Sequence, residues 1–583
     1  MRRLGLWCCL GILSLLARPV DSRAAEQPAG KASAGKPNIV LITLDSTRAD
    51  RMGFLGAHSG LTPNLDALAR QGIVFAQAYA QAPLTISSHA TILTSAYPQI
   101  HRAGEFGTPL ALSIPYLPDL LHASGYRTAA FVGSIQLDPA NGPFQKYDRG
   151  FDIYDAAFHQ PQRGESRYES VGRRGDLVVA RATKWLASKQ QRPFFLWVHL
   201  HDPADPDATY DRAVAAADAA AGNLLNSLRA LSLYEDAVIV VATAHGESLG
   251  AHGEDTHGIF LYDETIHVPL LLKLPKNQMA GKQVKNRARL LDVAPSILET
   301  AGIPVPSQMQ GQSLLRIAQS NSQADQPAYA RSDLPRQGFQ CSAIESWRAG
   351  KYLYVRAPKP ELYDLSTDPG ETRNLAPTSK ATLDTMAAQL QAFDSRLAND
   401  PAKAAASGLT SSEMQKLASL GYVGLQNASG VSAGTEGTDP KDAIAAANKT
   451  IAALRDLDDG KPEKAIPVLQ QVLASQPNLY LEQFAMGSAL FEQQHYAEAA
   501  AFLHKAIELQ PDSPWAHHTM GLALMKTGDF KISAVHLEIA SQRLPGLSAL
   551  HTALAEVYDH LGRSQDAARE RAAVSKGEKN KND

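Results

Sequence analysis

The sequence is poor in cysteine, in aromatic residues and in charge of one sign. Its 583 residues include three cysteines and 7% aromatic residues, and 56 basic against 59 acidic residues leave a formal net charge of −3. Proteins whose main role is to bind nucleic acid usually carry a clear basic excess, so this balance argues against that role. The combination of 44% hydrophobic and 20% charged residues excludes a mostly disordered chain and allows a large core.

Long hydrophobic runs are also scarce, and the clearest one lies at the N-terminus. Arg2 and Arg3 precede an apolar run over residues 4–16, and residues 22–24 form a small-x-small cleavage pattern. A helix that spans a bilayer needs about 20 apolar residues, so we expect no stable membrane span. The pattern predicts a signal peptide at residues 1–24, and hence a periplasmic or secreted bacterial protein.

Shorter apolar runs alternate with helix-like stretches in the first two-thirds of the chain. The runs lie at residues 38–44, 194–200 and 237–243, and helix-like stretches at 177–187 and 213–231 precede the last two. Continuous apolar runs of this length are typical of strands buried on both faces. The alternation predicts an α/β fold with a mainly parallel central sheet flanked by helices. In such sheets the functional residues collect at the carboxyl ends of the strands.

The C-terminal part has a repeat of 34 residues. Positions that keep this spacing are Gly460, Gln494, Gly528 and Gly562; Ala465, Ala499, Ser533 and Ala567; and Pro477, Pro511 and Pro545. The period predicts about four tetratricopeptide (TPR) repeats over residues 442–575, although another helical array is an alternative. We expect a linker at residues 401–441 and a tail at 576–583. Such arrays bind proteins or peptides on a concave face, but they can also cap a domain or dimerise.

Polar residues at the predicted strand ends suggest a chemical site. Asp45 follows the first apolar run, His245 follows the third, His257 lies further along, and Thr85 precedes a helix-like stretch. A carboxylate and imidazoles can hold a divalent cation that activates a hydroxyl for attack on an anionic ester. The helix after Thr85 would direct its first amides at the ester oxygens. The alternative is that each residue is a cap or a loop histidine.

Several motifs carry a resemblance that joins these residues. They are residues 41–50 (LITLDSTRAD), 62–68 (TPNLDAL), 82–90 (APLTISSHA), 148–152 (DRGFD), 245–250 (HGESLG), 261–264 (LYDE), 290–295 (LLDVAP) and 361–365 (ELYDL). Over residues 36–400 the chain resembles the sulfatase family of the alkaline phosphatase superfamily. The resemblance implies an exported hydrolase or transferase that acts on sulfate or phosphate esters, with a glycan or a lipid head group as the bearer of the ester.

The resemblance also assigns roles to individual residues. It implies a divalent metal (calcium, magnesium, zinc or manganese) held by Asp45, His245 and Asp202. It implies that Thr85 is the nucleophile, that His89 binds the ester oxygens, and that His257 assists the leaving group. In sulfatases proper the nucleophile is a formylglycine made from cysteine or serine, whereas relatives that attack phosphorus use threonine. Thr85 therefore favours phosphate esters over sulfate esters.

Two alanines depart from the family pattern. Ala244 replaces the aspartate of the family's Asp-His-Gly-Glu motif, and Ala204 replaces the histidine of its Asp-Pro-His motif. A methyl group cannot coordinate a cation, and fewer anionic ligands weaken a hard-cation site. The main alternatives to an active hydrolase are therefore a degenerate sulfatase fold that serves as a scaffold and a module that binds a sulfated or phosphorylated glycan without cleaving it.

Overall fold

The computed structural model describes residues 35–103, 110–140, 146–156, 158, 170–188, 193–201, 209–320, 326–398, 400 and 437–582, without the side chains of residues 575–582. The predicted signal peptide and most of the predicted linker lie outside these residues. From Pro37 onward the chain forms one compact unit, so the two predicted domains share an interface. Within the described residues, no helix has the length and apolarity required to cross a membrane.

The strands are β1 Ile39–Leu44, β2 Ile73–Phe75, β3 Ala78–Tyr79, β4 Arg127–Phe131, β5 Ile153–Asp155, β6 Phe194–Leu200, β7 Val238–Thr243, β8 Leu270–Lys273, β9 Lys282–Val284, β10 Ala288–Arg289, β11 Ala328–Ser332, β12 Ile344–Ala349, β13 Tyr352–Arg356 and β14 Glu361–Asp364. The helices of the first domain are α1 Pro63–Ala69, α2 Thr85–Thr94, α3 Pro98–His101, α4 Leu117–Ala123, α5 Gly175–Ala187, α6 Tyr210–Ala230, α7 Asp263–Ile266, α8 Val293–Thr300, α9 Leu314–Gln319, α10 Leu334–Phe339 and α11 Lys380–Ala398. Those of the repeat region are α12 Pro440–Asp458, α13 Pro462–Ser475, α14 Tyr480–Glu492, α15 Tyr496–Leu509, α16 Pro514–Thr527, α17 Phe530–Arg543, α18 Ser548–His560 and α19 Ser564–Asn582.

The central sheet confirms the predicted α/β fold. Within the described residues it has eight strands in the order β5-β4-β6-β1-β7-β8-β2-β9. β1 pairs in parallel with β6 and β7, β4 is parallel to β5 and β6, and β8 is antiparallel to both its neighbours. All six residues of β1 are buried because helices cover both faces of the sheet. β1 thus lies in the interior of the sheet. Its carboxyl end lies at the carboxyl edge of the sheet, where the functional residues were predicted.

A smaller sheet completes the first domain. The strands β11 to β14 pair antiparallel in chain order. The long helix α11 packs on this sheet through Met386, Leu390, Phe393 and Leu397, which are spaced three or four residues apart and are buried with Trp347 of β12. This spacing places the four side chains on one face of the helix.

The repeat region has the predicted period of 34 residues. The second helix of each pair begins at Pro462, Tyr496, Phe530 and Ser564, which are 34 residues apart. Small residues allow the paired helices to approach closely, since a Cβ atom at Gly487 would lie 2.6 Å from Cγ of Leu503. The four helix pairs α12–α19, called the repeat array below, begin at Pro440, two residues before the predicted start. The last helix also extends through most of the predicted tail.

One buried carboxyl group in the repeat array yields a pH prediction. Glu482 of α14 is fully buried, and its Oε1 accepts a hydrogen bond of 2.7 Å from Thr450 while Oε2 has no partner. Burial raises the pKa of Glu482 to about 7. The folded protein therefore holds a proton that the unfolded chain releases, so this group's contribution to stability is complete below pH 4.5 and is lost as the pH rises through 7.

We therefore expect E482Q to gain stability over the wild type as the pH increases from 5 to 8. The amide keeps the bond from Thr450 without ever carrying a charge, and the difference should reach about 3 kcal/mol at pH 8. Chemical denaturation of both proteins across this pH range measures the effect. E463Q, on an exposed position of α13, is the control and should show a flat difference. A flat difference for E482Q would show that its carboxyl group is hydrated in the folded protein.

Candidate metal and nucleophile site

The site is built on the central strand of the sheet. Asp45 follows β1 directly, and its backbone N–H donates a hydrogen bond of 3.1 Å to the carbonyl of Leu200 at the end of β6. On the other side, the N–H of Ala244 donates 2.8 Å to the carbonyl of Leu44. The neighbouring strands therefore fix the backbone of Asp45, whose side chain is fully buried at the carboxyl edge of the sheet.

Three histidines surround the Asp45 carboxylate. His199 Nε2 lies 3.0 Å and His201 Nδ1 3.1 Å from its Oδ2, while His245 Nε2 lies 3.4 Å from its Oδ1. Burial alone would raise the pKa of Asp45, but the imidazoles, above all that of His199, hold it well below its usual value. Asp45 is therefore a carboxylate, and it is the anionic member of this cluster.

Thr85 places a hydroxyl against the same cluster. It is the first residue of α2, and its Oγ1 donates a hydrogen bond of 3.1 Å to Oδ2 of Asp45. The same oxygen lies 3.2 Å from Nε2 of His245. The structure thus brings Asp45, Thr85 and His245 together, although 160 residues separate Thr85 from His245.

The hydrogen bonds of His245 determine which of its nitrogens is available. Its Nδ1 lies 2.9 Å from the carbonyl oxygen of Gly246, which can only accept, so Nδ1 carries the proton. Burial, with repulsion from His257, lowers the pKa of His245 to about 4. The ring is therefore neutral at pH 7, and Nε2 presents a lone pair to Thr85 and Asp45.

His89 lies one turn after Thr85 on α2, but both its nitrogens bind protein groups. Nδ1 is 2.6 Å from the carbonyl oxygen of Thr85, and Nε2 is 3.1 Å from Oγ1 of Thr43. Burial lowers the pKa of His89 to about 3, so the ring is neutral, with Nδ1 as the donor. This fully buried ring ties the backbone of Thr85 to β1.

His257 forms a charged pair beside the cluster. Its Nδ1 lies 2.9 Å from Oε2 of Glu247, and its ring lies 4.2 Å from that of His245, centroid to centroid. Burial lowers the pKa of His257, but the Glu247 carboxylate more than offsets this and raises it above the usual value. Since about a quarter of the His257 side chain is exposed, the ring can carry a proton at the open side of the site.

The donor atoms fit a divalent cation once His199 releases its Nε2 proton, which the ring carries because its Nδ1 accepts a hydrogen bond of 3.3 Å from the N–H of Gly133. One ligand atom each from Asp45, His199 and His201 lie within 4.8 Å of one another. Oδ1 of Asp45 is buried and has no hydrogen-bond partner, and Nε2 of His245 offers a further lone pair next to it. A buried carboxylate oxygen without a partner is costly unless a cation satisfies it. Asp202, which was predicted to be a ligand, lies outside the described residues, as does Ala204.

His199 and His201 are site residues that the sequence analysis missed. His199 lies within the apolar run that forms β6, and His201 follows that strand. Their spacing of two residues was the available signal, because alternate residues of a strand point to the same face. Ala244 is fully buried and its methyl group offers no ligand, and among the described residues it is imidazoles that surround the Asp45 carboxylate.

Comparison with protein families identifies both parts of the chain. Residues 37–303 match the Sulfatase family, and residues 255–396 match the family described as N-sulphoglucosamine sulphohydrolase, C-terminal. Residues 487–528 match a TPR repeat. These ranges agree with the two architectures seen in the fold.

Characterised relatives resemble the same region. An ulvan-active sulfatase from Formosa agariphila is 26% identical over 404 residues, which cover 58% of this chain and 77% of the relative. Human arylsulfatase K is 23% identical over 459 residues, which cover 64% and 84% of the two chains.

Solved structures share the fold. The phosphonate monoester hydrolase of Agrobacterium radiobacter matches with a TM-score of 0.52 and 20% identity, over 62% of this chain and 96% of its own. A protein solved in complex with its substrate D-glucosamine-2-N,6-O-disulfate matches with a TM-score of 0.54 and 18% identity, over 64% of this chain and all of its own. These structures show the fold alone, while the family matches identify a sulfatase domain in the N-terminal part of the chain and a TPR repeat in the helices that follow.

Proposed function

We propose that this chain is an exported, metal-dependent hydrolase of sulfate or phosphate esters in which Thr85 is the nucleophile. The family relationship indicates a hydrolase acting on ester bonds. The observation that carries the proposal is the position of the Thr85 hydroxyl, 3.1 Å from Asp45 and 3.2 Å from the unprotonated nitrogen of His245. A weak nucleophile needs such neighbours to become reactive.

In this proposal Asp45, His199 and His201 would hold the cation. A divalent cation bound there supplies positive charge, which favours loss of a nearby hydroxyl proton and offsets the charge of the ester oxygens. As the hydroxyl of Thr85 attacks the phosphorus or sulfur atom, its proton passes to Nε2 of His245, 3.2 Å away. The first amides of α2 face the ester oxygens. His89 orients Thr85 through the hydrogen bond to its carbonyl oxygen. It does not itself contact the ester, because both of its nitrogens are already bound.

His257 is proposed as the acid that protonates the leaving group. Its pairing with Glu247 keeps the proton on the ring near neutral pH, and its partial exposure lets it reach a substrate on the open side of the site. In the second half of the reaction the same ring accepts a proton from the water that releases Thr85. This assignment agrees with the general role of histidine in proton transfer.

The donor set favours a transition metal over calcium or magnesium. Calcium and magnesium prefer several oxygen ligands, whereas the two imidazoles and one carboxylate found among the described residues suit zinc or a similar divalent ion. The loss of the carboxylate at Ala244 and the presence of His201 shift the site in the same direction. We therefore propose that zinc binds here more tightly than calcium or manganese.

An ester panel tests the function. The purified protein, loaded with zinc, manganese, calcium or magnesium in turn, is incubated with nitrophenyl phosphate, bis-nitrophenyl phosphate and nitrophenyl sulfate. We expect turnover of at least one ester, fastest with zinc, and faster with the phosphodiester than with the sulfate because the nucleophile is threonine. Stoichiometric metal without turnover of any ester would instead support a fold that only binds its ligand.

Export and the role of the repeats complete the proposal. The predicted signal peptide would be removed after Ala24, which N-terminal sequencing of the protein from the periplasm or medium tests directly. The repeat array would offer the part of its concave face that is not packed on the first domain to a protein or peptide. Protein that stays in the cytoplasm with residues 1–24 attached would contradict the export proposal.

A further inference from the structure

The first helix of the repeat array is anchored on the sulfatase domain. Asp439, at the N-cap of α12, accepts a hydrogen bond of 2.8 Å from the backbone N–H of Lys359, and the side chain of Lys359 binds Asp442 at 2.6 Å. Lys441 forms an ion pair with the nearly buried Glu361 of β14. These contacts fix the start of α12, and with it the direction in which the helix runs across the domain.

Two turns further along, Asn448 of α12 binds the loop that carries His257. Its Nδ2 donates 2.8 Å to the carbonyl of Gly253, and its Oδ1 accepts 3.2 Å from the N–H of Asp255. A carbonyl only accepts and an amide N–H only donates, so these partners fix the orientation of the Asn448 side chain. One amide group therefore bonds the backbone on both sides of Glu254.

Glu254 connects this contact to His257. It is fully buried, its Oε1 accepts 2.7 Å from the N–H of Ile259, and its Oε2 accepts 3.1 Å from the N–H of Phe260 and from Ser248 Oγ. The carboxylate thus joins the segments before and after His257. We therefore expect a shift of the backbone around Glu254 to move the backbone of His257, and with it the ring, relative to Glu247 and His245.

A second set of contacts links the repeat array to the His257 loop through α10. At Gly338 of α10, Leu481 of the repeat array lies 3.4 Å from where a Cβ atom would stand. At Gly258, next to His257, a Cβ atom would lie 2.8 Å from Leu334 of α10 and 3.0 Å from Leu84, the residue before Thr85. The repeat array therefore contacts α10, and α10 in turn contacts the His257 loop at Gly258, where Leu84 also lies.

We propose that the repeat array is a structural part of the catalytic unit and that Asn448 is a positioning residue for His257. This inference rests on the proposed function, in which His257 protonates the leaving group. The array also touches the first domain further along, where a Cβ atom at Gly546 would lie 3.0 Å from the carbonyl oxygen of Pro139 in the segment that follows β4. These contacts, from α12 to the turn before α18, pack the array against the domain.

The test compares N448A with K449A in the full-length, metal-loaded protein. Lys449 is the exposed neighbour on the same helix, so its variant controls for changes to α12 itself. In N448A we expect kcat to fall about tenfold with KM and metal content within twofold of wild type, because the cation ligands are untouched. We also expect amide hydrogen exchange over residues 248–260 to increase at least tenfold, while exchange of β1 stays unchanged. K449A should match the wild type in all four measurements.

The possible outcomes separate this inference from the proposed function. Unchanged hydrogen exchange in N448A would show that Asn448 does not hold the loop, and faster exchange with unchanged kcat would show that holding the loop does not position His257. Either result overturns the inference and leaves the proposed function intact. If the wild type hydrolyses no ester, the proposed function fails, and with it the assignment of Asn448 to catalysis.

Discussion

Thr85→Val is expected to lower kcat/KM by on the order of 10⁴-fold against whichever ester the wild type hydrolyses. Valine has nearly the shape of threonine but carries no hydroxyl, so the group that attacks the ester is removed while the packing of α2 is kept. The effect is large because the remaining donors and the cation can orient an ester but cannot form the bond to it. Initial rates at saturating and subsaturating substrate measure it, with metal content determined in parallel.

Thr85→Ser is the matched control for this prediction. It retains the hydroxyl that contacts Asp45 and His245 and loses only a methyl group, so we expect it to retain activity within about a factor of 30, since one buried methyl group is worth about 1–2 kcal/mol. The nucleophile assignment would be wrong if the valine variant kept activity within tenfold of wild type. Equal losses in both variants would point to disturbed packing instead.

Asp45→Asn should weaken cation binding by at least about 100-fold and abolish turnover. Asparagine keeps the size and one oxygen of the side chain but removes the negative charge, and anionic ligands contribute strongly to cation affinity. Asp45 is the anionic residue of the cluster that it forms with His199 and His201 in the described part of the chain. Removing the negative charge of Asp45 therefore leaves this cluster with neutral donors only. Titration calorimetry with zinc and elemental analysis after dialysis measure the change without relying on activity.

Asp50→Asn is the control for Asp45→Asn. Asp50 lies close in sequence, but half of its side chain is exposed and it pairs with Arg48 on the surface. Surface ion pairs contribute little to stability, so this variant should bind zinc as tightly as the wild type. Equal zinc affinity in Asp45→Asn and wild type would place the cation elsewhere and overturn the proposed ligand set.

Much of the fold was predictable because its determinants are local. The apolar runs at 38–44, 194–200 and 237–243 became β1, β6 and β7 within one residue at each end, since buried parallel strands require continuous apolar side chains. The repeat array was predictable from its period alone, because each helix pair presents the same small and apolar positions to the next. Asp45 and Thr85 could be singled out as candidates because Asp45 follows the first apolar run and Thr85 precedes a helix-like stretch.

The rest of the site depends on contacts between distant segments. His199 lies within an otherwise apolar run, and only the pairing of β6 with β1 shows that its ring meets Asp45. The two bonds that make His89 a support for Thr85 are likewise visible only in three dimensions. The contact of Asn448 with Gly253 joins residues 195 positions apart, and neither residue carries a sequence pattern that suggests it.

The way β1 is held between β6 and β7 has a consequence for how such a site can evolve. Backbone hydrogen bonds to the neighbouring strands hold residues 45 and 244 in place. Exchanging a side chain at these positions therefore alters the ligand set without remodelling the main chain. Single substitutions at these positions can therefore change which cation the site prefers during evolution, while the backbone around the site stays the same.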